Sequence, residues 1–377
     1  MSRLLIRGGL LLTPTEERFT DLLLEGNIVS RVGPCPSDDA SQVLDASGCY
    51  VTPGLIDLQV NGTPECNFWS ELKLDKIQAL SEKMIAAGVT SILPTLITGS
   101  MDRLCTNRDF LKKEIGLSCE SASKNGQQII RMPGLHFEGP CLSPKKPGVH
   151  PPENLQPLEL SVLKQLVDDS CKLMTFAPEL DPSAACINFL RESGVLCSLG
   201  HSDANFEEAK KAFAAGVQMM THVFNALPAL HHRAPGAVAA AVLDRNVICC
   251  LIPDGLHVVP PMLDLVYRLK GANKTILVSD IAAVGTSTGS LVGSSLLLSD
   301  GVRNMVDWGI CSFTDAVKMA TYNPAAALKL EDKIGQLKPA AFADVLIWDR
   351  QSLAIKHVIF NGSVLGQKMQ KGEAVKA

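Results

Sequence analysis

Six residues in the middle of the chain have side chains suited to acid–base or metal chemistry, and each closely follows a short apolar run. Glu138 comes after residues 131–137, His201 after 195–199 and His222 after 217–221. Asp254 and His257 come after 247–252, and Asp280 directly after 275–279. Two neutral imidazoles and a carboxylate can supply three ligands to one divalent ion and leave a coordination position for water. Each residue alone has a plainer reading. A single histidine is more often packed or solvent-exposed than a ligand. Glu138-Gly139-Pro140 alone is a turn after a strand, and His231-His232-Arg233 alone is a solvated loop. Gly285-Thr286-Ser287-Thr288-Gly289 lacks the Gly-Lys-Ser/Thr ending of a phosphate cradle and reads as a flexible loop. Ionisable residues repeated at successive strand ends are not accounted for by these plainer readings.

The elements that must position these residues alternate. Eight apolar strand candidates cover residues 54–59, 89–93, 131–137, 172–177, 195–199, 217–221, 247–252 and 275–279, with helical segments between most of them. In the clearest helix, Phe206, Ala209 and Phe213 recur at helical spacing. Gly216 is placed to end it, and Asp203 or Asn205 to cap its start. This pattern predicts an α/β fold, a TIM-like (β/α)8 barrel whose strand ends open on one face, where the active site sits. A doubly wound sheet is the alternative, but no G-x-G-x-x-G follows the first strand. Residues 4–12, 22–29, 42–50, 344–349 and 355–360 read as short strands at the two ends of the chain, and 118–128 as a polar loop. Neither end alone has enough strands to bury a core. The expected organisation is a small β-sandwich domain from both termini, 1–52 plus 335–377, and a barrel over 53–334.

Composition narrows the function class. The chain has 377 residues, is 46% hydrophobic, and balances 35 basic against 39 acidic residues. That apolar fraction excludes a disordered chain. Without a basic excess, no nucleic-acid partner is expected. No apolar run reaches the roughly 18–20 residues that span a membrane, so no membrane partner is expected either. The first residues lack the apolar core of a secretory signal, and the 12 cysteines include no C-x-x-C pair. A cytoplasmic protein with reduced thiols is the expectation.

Several fragments carry a resemblance. These are Pro53-Gly54-Leu55-Ile56-Asp57-Leu58-Gln59-Val60-Asn61-Gly62, Leu135-His136-Phe137-Glu138-Gly139-Pro140, Gly148-Val149-His150, Leu199-Gly200-His201-Ser202 and Thr221-His222-Val223-Phe224-Asn225-Ala226. Arg233-Ala234-Pro235-Gly236, Asp254-Gly255-Leu256-His257, Val278-Ser279-Asp280, Gly301-Val302-Arg303-Asn304 and Asn323-Pro324-Ala325 complete the order. Over nearly its whole length the sequence resembles the N-acetylglucosamine-6-phosphate deacetylases of the amidohydrolase superfamily. The resemblance implies hydrolysis of the acetamide of N-acetylglucosamine 6-phosphate in amino-sugar catabolism. It implies one divalent metal ion per subunit, zinc first and iron, cobalt or manganese as substitutes, held by Glu138, His201 and His222. Gln59-Val60-Asn61 stands where many amidohydrolases have His-x-His, in keeping with a single ion. Asp280 is the implied general base and His150 the implied donor to the oxyanion. The sugar phosphate would meet Val149, Asn225, Ala226, Asp254 and His257, with Arg233 on the phosphate and Leu291, Val292 and Gly293 as the loop touching substrate. A homodimer is implied as well.

The sequence departs from the family pattern in one place. After Asp280 the connection over 281–294 is shorter than in the family. This supports one alternative, an amidohydrolase-fold protein with impaired or absent activity; an amidohydrolase acting on another acylated amine is a separate alternative.

Overall fold

The computed structural model describes residues 2–124, 126–283, 286–287, 290–291 and 293–366. Eight parallel strands form one sheet. In chain order they are Leu55–Val60, Val89–Ile97, Leu135–Glu138, Cys171–Phe176, Leu196–Leu199, Met219–Met220, Ile248–Leu251 and Thr275–Leu277, each hydrogen-bonded to its sequence neighbour. The helices Leu74–Ala86, Met101–Phe110, Leu160–Leu166, Ala185–Glu192, Phe206–Ala215, Gly236–Leu243 and Pro260–Lys270 connect successive strands, and Leu298–Asp307 follows the eighth. Parallel neighbours need such crossovers, and eight of them curl the sheet into a (β/α)8 barrel. Strands one and eight meet through a parallel bridge between Val60 and Ile281. Beside it, the Asp57 carboxylate accepts the Ser279 N–H at 3.2 Å, so a side chain does part of the work of the closing ladder.

The barrel interior follows the two-residue alternation of strands. Ile56, Leu93, Leu173, Leu196, Met219, Cys250 and Ile276 fill its centre, and Ala325, Ile334 and Phe342 belong to the same apolar cluster. Outward residues of the same strands pack under the helices in a larger cluster. The helix Phe206–Ala215 forms as its spacing predicts. Asn205 accepts from the Glu207 and Glu208 amides, Glu208 reaches back to the Asn205 N–H, and Gly216 ends the helix at φ 115°.

The two ends of the chain build a second sheet, in the order Ser363–Val364, Ile355–Phe360, Val345–Asp349, Cys49–Pro53, Arg3–Leu12, Glu17–Glu25, Ile28–Val32, with Gln42–Asp45 also paired to Arg3–Leu12. It encloses its own apolar interior, with Leu4, Ile6, Leu11, Val345 and Ile347 among the buried residues. A register shift near Gly8 (φ 74°) reverses the alternation, so Leu10 and Leu12 join the barrel-side cluster instead. Two terminal runs are broken where the sequence reading joined them. Residues 22–29 turn at Gly26 (φ 59°), and 42–50 turn at Gly48 (φ 73°). The polar stretch 118–128 holds a small hairpin, Ser123–Lys124 against Gln127–Gln128. Buried Arg131 ties the two sheets together. Its guanidinium bonds Asp344 at 2.6 and 3.3 Å, the Cys119 carbonyl at 2.7 Å and Asn361 at 3.0 Å, and stacks 4.0 Å from the Phe342 ring centre. Among the described residues no helix is long and apolar enough to cross a membrane.

Candidate active site

The C-terminal ends of the barrel strands bring the ionisable residues together. Glu138 is the last residue of strand three, and His201 and His222 stand just beyond strands five and six. All three are buried. Glu138 Oε1, His201 Nε2 and His222 Nε2 form a triangle with sides of 2.9, 3.1 and 3.3 Å. Ligands of one small cation stand about 1.6 times the metal–ligand distance of ~2.0–2.2 Å apart, close to these separations.

The chemistry of the donors supports the same use. His201 Nδ1 lies 3.1 Å from the Lys146 carbonyl, which can only accept, so the ring proton sits on Nδ1 and Nε2 offers its lone pair inward. Gln59 Nε2 donates to Glu138 Oε1 at 3.0 Å, an orienting bond from strand one. Among the described residues, His222 Nδ1 is buried without a hydrogen-bond partner. Burial alone would raise the Glu138 pKa, but the neighbouring His201 and His222 rings outweigh it and hold the carboxyl well below its usual range. Burial likewise opposes the charge on His222, and the Glu138 bond outweighs it and raises that pKa. A donor set of two imidazoles and a carboxylate therefore fits a divalent ion.

His150 also approaches Glu138 and His201, and donor atoms of these three lie within 4.8 Å of one another. Its tautomer points to another use. The Thr98 backbone N–H donates to His150 Nδ1 at 3.3 Å, so the proton sits on Nε2. With Nδ1 occupied, that proton cannot move off Nε2 in the neutral ring, so Nε2 is placed to donate to a developing oxyanion rather than to bind a metal, whereas the unpartnered Nδ1 of His222 can take up that ring's proton. Burial, and then the neighbouring His201, lower the His150 pKa to about 3, keeping the ring neutral.

Asp280 stands across the pocket, and Asn61 Nδ2 donates to its Oδ1 at 2.7 Å. Burial, and then the Glu138 charge, raise its pKa to about 7, within range for a general base. The backbone is strained where these residues project. His201 (φ 47°), His222 (φ 29°), Phe224 (φ 81°), Ala226 (φ 50°) and Asp280 (φ 52°) all lie in the left-handed region that side chains other than glycine rarely adopt. Gly148 (φ 58°) passes so close to His201 that a Cβ would lie 3.0 Å from its ring.

The cavity between these groups has a volume of about 230 Å³. Of the candidate substrate contacts, Val149, Asn225, Ala226, His257 and Gly293 line it. Asp254 sits behind His257, with its Oδ2 2.6 Å from His257 Nδ1. Arg233 is exposed on its loop, outside the lining, and its side chain forms no ion pair among the described residues. Val292 lies outside the described residues, as does the side chain of Leu291. The 281–294 connection is anchored at both ends. Ser294 N–H donates to the Asp280 carbonyl at 2.8 Å and Ala282 N–H to the Ser294 carbonyl at 3.0 Å. Gly293 (φ 63°) packs so closely that a Cβ would lie 2.6 Å from the Asp280 carbonyl oxygen. Trp69, Ile97, Gly148 and Ala282, which complete the lining, have no role in the sequence reading, nor has Asn61 as the partner of Asp280. The last signal was present, since Gln59-Val60-Asn61 stands at a strand end.

A model of the amidohydrolase family matches residues 50–365. The chain is 32% identical over 342 residues to the N-acetylglucosamine-6-phosphate deacetylase of Lysinibacillus sphaericus, covering 82% of this chain and 84% of that protein. It is 28% identical over 377 residues to the N-acetylgalactosamine-6-phosphate deacetylase of Escherichia coli O157:H7, covering 93% and 96%. Among solved structures, a mutant N-acetyl-D-glucosamine-6-phosphate deacetylase from Mycobacterium smegmatis, in complex with N-acetyl-D-glucosamine-6-phosphate, superposes with a TM-score of 0.86. It is 25% identical, over 97% of this chain and 99% of that one.

Proposed function

The chain belongs to the amidohydrolase family, and from that premise we propose that it hydrolyses the acetamide of N-acetylglucosamine 6-phosphate to acetate and glucosamine 6-phosphate. The observation that carries this reading is the three-donor triangle facing a buried carboxylate, Asp280, across one small cavity.

Glu138, His201 and His222 would hold one divalent ion, with zinc, iron, cobalt and manganese all compatible with the donor set. Such an ion supplies positive charge that acidifies water and polarises a carbonyl. Asp280, steadied by Asn61, takes a proton from the attacking water as its oxygen bonds to the acetyl carbon. It then delivers that proton to the sugar nitrogen as the C–N bond breaks, so the amine leaves neutral. His150 donates from Nε2 to the oxygen that gains charge in the tetrahedral intermediate. Val149, Asn225, Ala226, His257 and Gly293 orient the sugar, and Asp254 steadies His257. Arg233, with no carboxylate partner among the described residues, is the phosphate group's cation, and its planar guanidinium suits bidentate binding. Leu291 and Val292 belong to the same substrate loop as Gly293.

A cytoplasmic homodimer, divided into a barrel over 53–334 and a β domain from 1–52 plus 335–377, completes the reading. The likeness to the galactosamine enzyme favours a second substrate, the epimeric N-acetylgalactosamine 6-phosphate. The deciding experiment measures amine release from both sugar phosphates by purified protein, with and without added Zn²⁺. Release that depends on the ion, faster on the glucosamine derivative, is expected. Faster release from the galactosamine derivative would reverse the substrate order. No release from folded, zinc-loaded protein would refute the reading and turn attention to the 281–294 connection.

A further inference from the structure

Below the donor triangle the barrel interior changes character. Leu93, Leu173, Leu196 and Met219 belong to its apolar centre. Two residues further along each strand, alternation returns the inward face to Thr95, Thr175, Ser198 and Thr221. His136 takes the matching place on strand three, two residues before Glu138. All are buried, and none lines the cavity.

Four of these residues form a continuous chain. Ser198 Oγ is 2.6 Å from Thr221 Oγ1, which is 2.7 Å from Thr175 Oγ1. Thr175 Oγ1 is 2.8 Å from His136 Nε2, and His136 Nδ1 is 3.1 Å from the Leu58 carbonyl oxygen. That nitrogen also lies 3.3 Å from Thr95 Oγ1. The direction of donation follows from the last link. A carbonyl only accepts, so His136 carries its proton on Nδ1 and presents a lone pair at Nε2. Thr175 therefore donates to His136, Thr221 to Thr175 and Ser198 to Thr221.

The chain crosses strands five, six, four, three and one. Four of these lead to His201, His222, Glu138 and Gln59, the residues that make and orient the triangle. Backbone ladders pair these strands at their edges, but the apolar contacts inside the barrel add no directional restraint of their own. Hydrogen bonds weaken steeply with angle and distance, so a one-way chain of them sets relative height and rotation.

We propose that this buried chain holds the metal-binding layer in register, with His136 as its central positioning residue. The proposal rests on the metal reading above. It explains how donor separations near 3 Å persist across three strands without contact between these hydroxyls and the ion. Outer partners of metal ligands typically contribute about 10–100-fold to affinity.

Three variants test it. His136→Leu removes both ring bonds. His136→Gln keeps one acceptor and one donor. Thr175→Val removes a hydroxyl at nearly constant volume. Zn²⁺ affinity is measured by competition with a chromophoric chelator, alongside thermal melting of each metal-free protein. The wild type should take up one equivalent. His136→Leu and Thr175→Val should bind about 10–100-fold more weakly, and His136→Gln should recover most of the loss. If His136→Leu does not fold, Thr175→Val decides. Lowered melting temperatures with unchanged zinc affinity would show a merely structural network and overturn the proposal. So would a His136→Gln variant as weak as His136→Leu. A wild-type chain that takes up no ion would remove the metal reading and this proposal together, whereas wild-type uptake with unaffected variants would remove the proposal alone.

Discussion

Asp280→Asn exchanges one oxygen for an amide nitrogen and removes the side chain's ability to take a proton. Little else should change. The amide keeps an oxygen that can accept the Asn61 Nδ2–H bond, 2.7 Å in the native site, so the side chain keeps its orientation. Asp280 is not a corner of the donor triangle, so ion uptake should persist. The loss is then that of general-base catalysis, about 10²–10⁴-fold in turnover. At 1.36 kcal/mol per decade this is about 2.7–5.4 kcal/mol of transition-state stabilisation. The pH profile adds a second reading. A carboxylate serves as a base only when ionised, so wild-type activity should rise with pH through the Asp280 pKa. Burial, and then Glu138, place it at about 7 without an ion, and added positive charge lowers it. The acidic limb should therefore fall below pH 7 in the zinc-loaded enzyme and be absent from the variant. The assay is steady-state amine release against pH, with metal content measured on the same samples. A variant within about tenfold of wild type at equal metal content would refute the base assignment. Loss of the ion together with the activity would refute it too, since Asp280 would then be a ligand.

Glu138→Gln should lower bound metal from one ion per chain toward none, as read by elemental analysis of dialysed protein; full retention would exclude Glu138 as a ligand. Arg233→Ala should raise KM for the phosphorylated sugar far more than for N-acetylglucosamine itself, and equal effects on both would remove the phosphate assignment. Arg131→Ala leaves the Asp344 carboxylate buried without its guanidinium and should cost about 3–5 kcal/mol in urea unfolding, a loss under ~1 kcal/mol being incompatible with the pair's burial. Burial raises Asp57 from 3.8 to about 6. Because the folded pKa exceeds the unfolded one, the ionised group destabilises the fold above pH 6, and most of that penalty is lost as pH falls to about 4. At 1.36 kcal/mol per pK unit the full penalty is about 3 kcal/mol, and the stability of wild type relative to Asp57→Asn should improve by about 2 kcal/mol between pH 7.5 and 4. A flat difference across that range would contradict it.

The barrel was legible because its strands are apolar runs bounded by turns and helices, and periodicity is a local signal. The helix Phe206–Ala215 was legible for the same reason, its cap and stop being written at Asn205 and Gly216. Glu138, His201, His222 and Asp280 stood out because ionisable residues directly after apolar strands are chemically conspicuous. What escaped was pairing across the fold. Gln59 meets Glu138 over 79 positions and Asn61 meets Asp280 over 219. No local pattern marks such contacts. The buried chain through His136 escaped because threonine and serine inside a strand look like ordinary strand residues. Only the barrel's curvature brings their hydroxyls to one level. In the terminal sheet, Glu25-Gly26-Asn27 carried a turn signal inside one apolar run, whereas the lone positive-φ Gly48 was too small a signal to divide the other.

The terminal sheet also imposes an order of events on synthesis. Cys49–Pro53 pairs with Val345–Asp349, which emerges from the ribosome only after the whole barrel. At about 5–20 residues per second, the roughly 290 intervening residues take on the order of 15–60 s to translate. Throughout that interval the first apolar strands have one edge without its native partner, and an unpaired edge is a template for association with other chains. The closing pairing is also of very long range, and loops of that span close slowly. The terminal sheet therefore cannot complete until the barrel has been synthesised. Slowing translation late in the coding sequence should lower the yield of native protein more than slowing it early.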